Sequence, residues 1–386
     1  MNHNPYLLFG GDIAPTGLFA DLLCTSDTFF DPSTFDLTSN SIATFANLEL
    51  PVTSANVASE KSGPALTGEP RIVYRLKQLG FDCLFLANNH IMDFGESGLL
   101  ETAAVCREVG IATIGAGRNL KEASMPYSSS YGRTRIKVIN IGEEEFGAAT
   151  STGAGYCPLD VIHNLSQLTE ARASADIVIV SLHAGLEYFP LPRPNLQRFA
   201  RFLVDQGADA VICHHTHINS ASEVYNDCPI YYGIGNLMFN VDKPNASWEH
   251  GFWVKLFIDE STKRISGFES VPYRQSLDVG GLRALEGGEL GKFHEDVRIL
   301  NSVLLDEDKY LERWNRFCAS KEREYATLLY FPVIGWPISL LQRIPFIKNL
   351  LMPRSRAATR LNLIRCPSHA EILQQIHVRR LSSTDR

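Results

Sequence analysis

The sequence predicts an α/β fold, a sheet system covered by helices, with a mostly helical extension at the C-terminal end. Three observations lead there. Short apolar runs rich in Val, Ile, Leu and Phe recur at residues 6–9, 44–46, 83–87, 136–141, 176–182 and 210–213, and their length and composition are those of fully buried strands. Amphipathic stretches at 71–79, 98–109, 160–174 and 195–206 separate them, and strand alternating with helix builds a sheet flanked by helices. Each apolar run ends in a polar or glycine-rich turn, where α/β folds collect their ligands.

Taken in order, the first run stops at Gly10-Gly11-Asp12, where glycine permits a tight turn and Asp12 is a turn residue, a helix cap or a ligand donor. The second stops at Asn47-Leu48-Glu49, and the third at Asn88-Asn89-His90, which runs on into a turn, Asp93-Phe94-Gly95, before the next helix. The fifth ends at His183. The sixth ends in Cys213-His214-His215-Thr216-His217, the most informative stretch of the chain. Imidazoles at i and i+2 beyond a strand converge on one cation only when the loop bends both to the same side. Residues 252–258 and 264–268 alternate around the turn 259–263, a hairpin closing a second sheet.

Beyond this lies a different kind of sequence. A main domain over residues 1–273 gives way to an extension, 274–386, that opens with a charged helical segment at 291–326. Residues 325–342 carry no formal charge, but Pro332 and Pro337 make a membrane-spanning helix a poor reading. Residues 343–386 hold nine Lys or Arg against two Asp or Glu. The favoured reading is a proline-kinked hairpin packed on the main domain. The other is an apolar and basic segment lying on an anionic membrane surface, a peripheral contact through 325–386.

Length and charge narrow the classes. At 386 residues the chain has room for one large domain plus an appendage. A net charge of -7 and a pI near 5.9 argue against nucleic acid as a partner and suit a site that holds cations. The eight cysteines show no Cys-x-x-Cys spacing and read as buried thiols of a reducing compartment. With no signal-peptide pattern at residues 1–9, the expected location is cytoplasmic, with the inner membrane face as the surface contacted.

A two-metal hydrolytic site needs a bridging carboxylate, several histidines, an amide or carboxylate oxygen, and a group that can protonate a leaving oxygen. Asp12, Glu49, Asn89, His90, His183, His215 and His217 supply these types from five strand ends. Singly, each has an ordinary structural explanation. Together they point to a shared cation site.

At these residues the chain resembles a known family, the poly-γ-glutamate capsule synthesis proteins of the CapA type, within the metallophosphatase-like superfamily. The resemblance rests on Gly11-Asp12, Asn47-Leu48-Glu49, Ala87-Asn88-Asn89-His90 through Gly95, Gly115-Ala116-Gly117-Arg118-Asn119, Ser181-Leu182-His183-Ala184-Gly185-Leu186-Glu187-Tyr188, Gly207-Ala208-Asp209 through His217, and Tyr232-Gly233-Ile234-Gly235-Asn236. It covers residues 5–273 and implies a four-layer αββα sandwich with a two-metal centre. Asp12, Glu49 and His217 would hold one divalent ion and Glu49, Asn89, His183 and His215 the other, manganese in preference to iron, zinc or magnesium. His90 would face the leaving group. Asn47, Asp93, Arg118, Glu187, Tyr188, His214 and Asn236 are candidates for supporting the ligands or touching substrate. Where the superfamily has Asp-x-His, position 14 is Ala, so a ligand of the first ion is missing and the metal count is one or two.

The expected reaction is phosphoester hydrolysis in capsule polymer synthesis. Metals activate water and neutralise the phosphoryl oxygens, and His90 donates to the departing oxygen. Two alternatives stand beside it: cleavage of an amide or γ-glutamyl bond, and a non-catalytic assembly subunit at the membrane. The partner is accordingly a small molecule or polymer bearing phosphate or γ-glutamyl groups.

Overall fold

The computed structural model describes residues 5–241, 246–330 and 354–382. The chain begins β1 (Tyr6–Ala14), α1 (Gly17–Thr25), α2 (Pro32–Ser39), β2 (Ala43–Leu48), α3 (Pro70–Gln78), β3 (Cys83–Phe85), α4 (Gly95–Glu108) and β4 (Ala112–Ile114). A short pair, β5 (Ala116–Gly117) with β8 (Gly155–Tyr156), brackets α5 (Leu120–Ala123), β6 (Tyr127–Tyr131) and β7 (Thr134–Gly142). Next come α6 (Val161–Ser174), β9 (Ile177–His183), α7 (Pro194–Asp205), β10 (Ala210–His214), β11 (Ser222–Tyr225), β12 (Cys228–Tyr231) and β13 (Asn236–Phe239). Then α8 (Ala246–Glu249) leads to β14 (His250–Asp259), β15 (Arg264–Ser276) and β16 (Gly281–Ala284), before α9 (Gly287–Leu305), α10 (Glu307–Tyr330), α11 (Arg354–Arg365) and α12 (Pro367–Ser382).

Two sheets form. The first runs β16-β15-β14-β1-β2-β3-β4, with β13 beside the far half of β1, and the second runs β11-β12-β10-β9-β7-β6. The period of two in each central strand sorts its side chains onto two faces. Leu7, Phe9, Phe45 and Phe85 of the first sheet meet Ile136, Val138, Ile179 and Ile212 of the second in one buried layer. Leu8, Ala46 and Leu84 face the other way, against α1, α3 and α4 through Leu23, Leu76 and Leu99. On the outer face of the second sheet, Ile139, Val178 and Val211 pack against Leu168 of α6 and Leu203 of α7. The four layers are therefore helix, sheet, sheet, helix, the αββα sandwich that the resemblance implied.

Particular elements differ from the sequence expectation. β1 does not stop at Phe9: it bulges between Phe9 and Asp12 and continues to Ala14, because β13 pairs with its far end in parallel. A Cβ at Gly11 would lie 1.9 Å from the Gly235 carbonyl oxygen, so the close approach of these strands needs glycine there. The 252–268 hairpin closes no second sheet. β14 pairs antiparallel with β1 and extends the first, its apolar face completing the same core, and β15 with β16 carries that sheet on to Ala284. The expected 291–326 helix is two helices, starting at Gly287 and interrupted at Asp306. All eight cysteines are free thiols, six of them buried.

In the extension, Leu363, Ile372 and Ile376 of α11 and α12 join the core outside the second sheet, beside Trp314 of α10. Residues 331–342, most of the apolar segment on which a membrane contact was expected, lie outside the described residues. No helix among the described residues is long and apolar enough to cross a membrane.

Candidate metal centre

Strand register brings the donors together. Asp12 lies level with Asn47 on one side and Asn236 on the other, while His183 lies level with Gly142 and His214 in the second sheet. Beyond β10 the backbone does something unusual: His215 and His217 have φ of 83° and 58°. Non-glycine residues held there carry strain that is found at functional sites. The distortion answers the geometric problem posed by histidines at i and i+2, since both now turn to the same side as Glu49 and Asp12.

The result is a buried knot of donors. Glu49 Oε1 stands 3.5 Å from His183 Nε2 and 3.8 Å from His217 Nε2. His217 Nδ1 is 3.5 Å from Asp12 Oδ2, and His183 Nε2 is 3.0 Å from Asn89 Oδ1. The rings of His183 and His215 lie 4.7 Å apart. Glu49 with His215 and His217, and Glu49 with Asp12 and His183, each place their ligand atoms within 4.8 Å of one another, and Glu49 is common to both groups.

Supporting residues set the orientation. Asn47 Nδ2 donates to Asp12 Oδ1 at 2.8 Å and approaches Glu49 Oε2 at 3.3 Å, and Asn47 Oδ1 in turn accepts from Asn88. Asn236 Oδ1 is 3.1 Å from His217 Nδ1, which directs Nε2 of that ring toward Glu49. His214 Nδ1 sits 3.2 Å from Asp12 Oδ1 on the opposite side. Tyr188, with φ of 63°, stacks on Trp248, which in turn packs against the His217 ring. Asp93 is fully buried between Lys61 and His90, with Oδ2 2.7 Å from His90 Nδ1. Glu187 is solvent-reached at the rim.

Arg118 is not brought to this site: its side chain is exposed, 3.7 Å from Glu122, in a groove beside α4. Conversely, the sequence reading passed over Glu145 and Lys61. Glu145 Oε1 is 3.4 Å from His215 Nε2, which leaves the buried His215 Nδ1, without a hydrogen-bond partner, as the nitrogen for a cation. A carboxylate on the far nitrogen of a ligand histidine fixes its tautomer. The signal was present, because Glu143-Glu144-Glu145 follows the apolar run 136–141 as the other donors follow theirs. Lys61 lay in a stretch with no periodicity to place it.

Electrostatics test whether this knot fits a cation. Burial pushes Asp12 up, but the imidazoles of His214 and His217 beside it outweigh burial and hold the carboxyl well below its usual range. Burial and the charge of Asp12 push Glu49 well above its own. Burial and His215 keep His183 neutral, whereas Glu49 and Asp12 overcome burial at His217 and carry it up to about 10. Glu49 Oε1 is buried and has no hydrogen-bond partner. A buried acceptor left so costs about 1–3 kcal/mol. Two carboxylates, three imidazoles and an amide oxygen form a donor set suited to divalent transition metals.

Comparison with known proteins gives a family for the chain. The family model for bacterial capsule synthesis protein PGA_cap matches residues 6–241. The capsule biosynthesis protein CapA of Bacillus anthracis is 31% identical over 183 residues, 45% of this chain and 44% of that protein. The PGA biosynthesis protein CapA of Bacillus subtilis (strain 168) is 33% identical over 199 residues, 50% of this chain and 52% of its own length. A probable polyglutamine synthesis accessory protein of Mycobacterium tuberculosis is 30% identical over 205 residues, 50% and 54% of the two chains. The chain thus spans about half the length of the curated relatives it matches. Among solved structures, a putative 5'-nucleotidase from Staphylococcus aureus superposes with a TM-score of 0.44 at 16% identity, over 79% of this chain and 58% of that one.

Proposed function

We propose, from the premise that the chain belongs to the bacterial capsule synthesis protein family PGA_cap, that it is a divalent-metal-dependent hydrolase of the phosphoesterase type acting in capsule polymer synthesis. One observation carries the reading: Glu49, fully buried and unpartnered at Oε1, belongs to both groups of converging donors. Asp12, Glu49 and His217 would hold one ion, and Glu49, Asn89, His183 and His215 the other. Bound there, divalent ions supply activated water and neutralise negative charge on a phosphoryl group.

The chain's own residues do the rest. Asn47 and Asn236 hold the Asp12, Glu49 and His217 side chains in place. Asp93 fixes the His90 ring through Nδ1 and leaves Nε2 for a ligand. Burial keeps His90 below its ordinary value despite Asp93, so the resting ring is neutral. Its Nε2 then accepts, and donation to a leaving oxygen follows only once the ring has taken up a proton. The buried ammonium of Lys61 opposes that charging and anchors Asp93.

The test is direct. Mn2+-loaded protein should turn over p-nitrophenyl phosphate or its diester, and His183→Ala and His215→Ala should abolish turnover. Release of glutamate from a γ-linked polymer with no phosphatase activity would select the amide-cleaving alternative. A second reading, a non-catalytic assembly subunit, draws on buried Ala14, which offers no ligand, and on the accessory function named for the mycobacterial relative. Less than one equivalent of metal and no turnover on any substrate would select it.

A further inference from the structure

The family match ends at residue 241, yet the candidate metal centre has a wall built from later residues. A cavity of about 270 Å³ lies between His215 and helices α10, α11 and α12. Buried ionic contacts hold that wall in place: Arg193 is paired with Glu143 and with Glu371 of α12, and Ser368 donates to the Gly185 carbonyl at 2.6 Å.

The cavity is lined by acceptors, one of them buried without a partner. Asn362 of α11 is 5% exposed and its Oδ1 has no hydrogen-bond partner, although its Nδ2 reaches Glu145 at 3.4 Å. Glu187, two residues beyond Gly185, lines the same space. Glu145 also lines it, with Oε1 toward His215 and Oε2 toward Asn362. Lys321 is the one formal cation among the lining residues, and it is already engaged 2.9 Å from Glu324. Three lining carboxylates against one ammonium leave this end negative, while on the phosphoesterase reading the metal end would receive the anionic group.

We propose that this cavity is the second half of the substrate site and takes a primary ammonium group of the substrate, bound by Asn362 Oδ1, Glu187 and Glu145. A buried amide oxygen with no partner gains a hydrogen bond there, and the carboxylates gain a counter-charge. The substrate class is then an amino-bearing ester, with its anionic group at the metals and its ammonium under the C-terminal helices. The inference rests on the phosphoesterase reading for its choice of ester, but the ammonium subsite is measurable without turnover.

Two matched measurements on the full chain test it. With Mn2+ present, 2-aminoethyl phosphate should be hydrolysed with a kcat/KM at least about tenfold above that of ethyl phosphate, the gain of one charge-assisted hydrogen bond. Asn362→Leu should bring the ratio toward one, whereas Asn362→Asp should keep or raise it, which separates loss of the acceptor from loss of folding. Independently, ethylammonium titrated against metal-free protein should show saturation-transfer NMR contact that Asn362→Leu removes and that acetate does not reproduce. Contact of that kind without turnover of any ester upholds the subsite and rejects the phosphoesterase reading. Turnover with a ratio at or below one and no ethylammonium contact overturns the subsite and leaves that reading standing.

Discussion

Glu49 meets opposed demands from folding and from metal binding, and a single substitution separates them. Its raised carboxyl means that the neutral form suits the metal-free fold. For a group raised in this way, stability is fully present below the unfolded value near 4.3 and is lost as pH rises through the folded one. Glu49→Gln should therefore flatten the loss of metal-free stability as pH rises above the unfolded carboxyl value, in thermal melts run with chelator. In the same variant Mn2+ affinity should fall by more than the roughly 10–100-fold that loss of an outer partner costs. His217 gives the pH dependence. Raised to about 10 by Glu49 and Asp12 against burial, it is charged at neutral pH and must lose that proton to bind a cation. Mn2+ affinity should thus rise with pH up to about 10, roughly tenfold per unit for each proton displaced, as calorimetric titrations at pH 6, 7 and 8 would read. A flat profile would show that His217 is not a ligand.

At the scale of elements, the bulge in β1 is where local backbone and site meet. Gly11→Ala sets a methyl, fixed rigidly to its own strand, against the backbone carbonyl of Gly235, so neither side yields cheaply. The expected cost is about 1–3 kcal/mol, with a loss of Mn2+ affinity because Asp12 is the next residue; chemical denaturation and metal titration check the two together. Asp31, which caps α2, is a second joint. It accepts from Thr34 N at 2.7 Å and from Ala284 N at 2.7 Å, tying α2 to β16. Burial pushes its carboxyl up, but these bonds prevail and lower it. Its contribution is present above the unfolded value near 3.9 and is lost as pH falls through the folded one. Asp31→Ala should cost about 1–2 kcal/mol at pH 7 and progressively less toward acid.

These elements also show what was legible in the sequence. Six apolar runs announced six central strands because a strand buried on both faces is apolar at most of its positions, and their last residues announced the donors. Sheet membership was not legible: residues 252–258 alternate equally well on either sheet, and only the long-range pairing of β14 with β1 decides. Arg118 was misread because a loop glycine motif fixes a turn without fixing where the next side chain points. Glu145 was not legible because it ends three consecutive glutamates, and sequence alone does not say which of them turns toward the histidines.

For the molecule as a whole, the C-terminal helices are part of the site's architecture, held through charges that are costly to strand. Arg193 is 3% exposed and faces two carboxylates from different parts of the chain. Removing one partner of such a buried set costs about 3–5 kcal/mol. Arg193→Met should lower stability by that order, and hydrogen exchange should show α12 losing protection before β1, β2 and β3 do.

The most direct test of the central claim is anomalous diffraction from crystals grown with Mn2+. The account predicts peaks in bonding contact with Glu49, one shared with Asp12 and His217 and, if a second ion is held, one shared with His183 and His215. Peaks absent from Glu49, or confined to surface carboxylates, would contradict it.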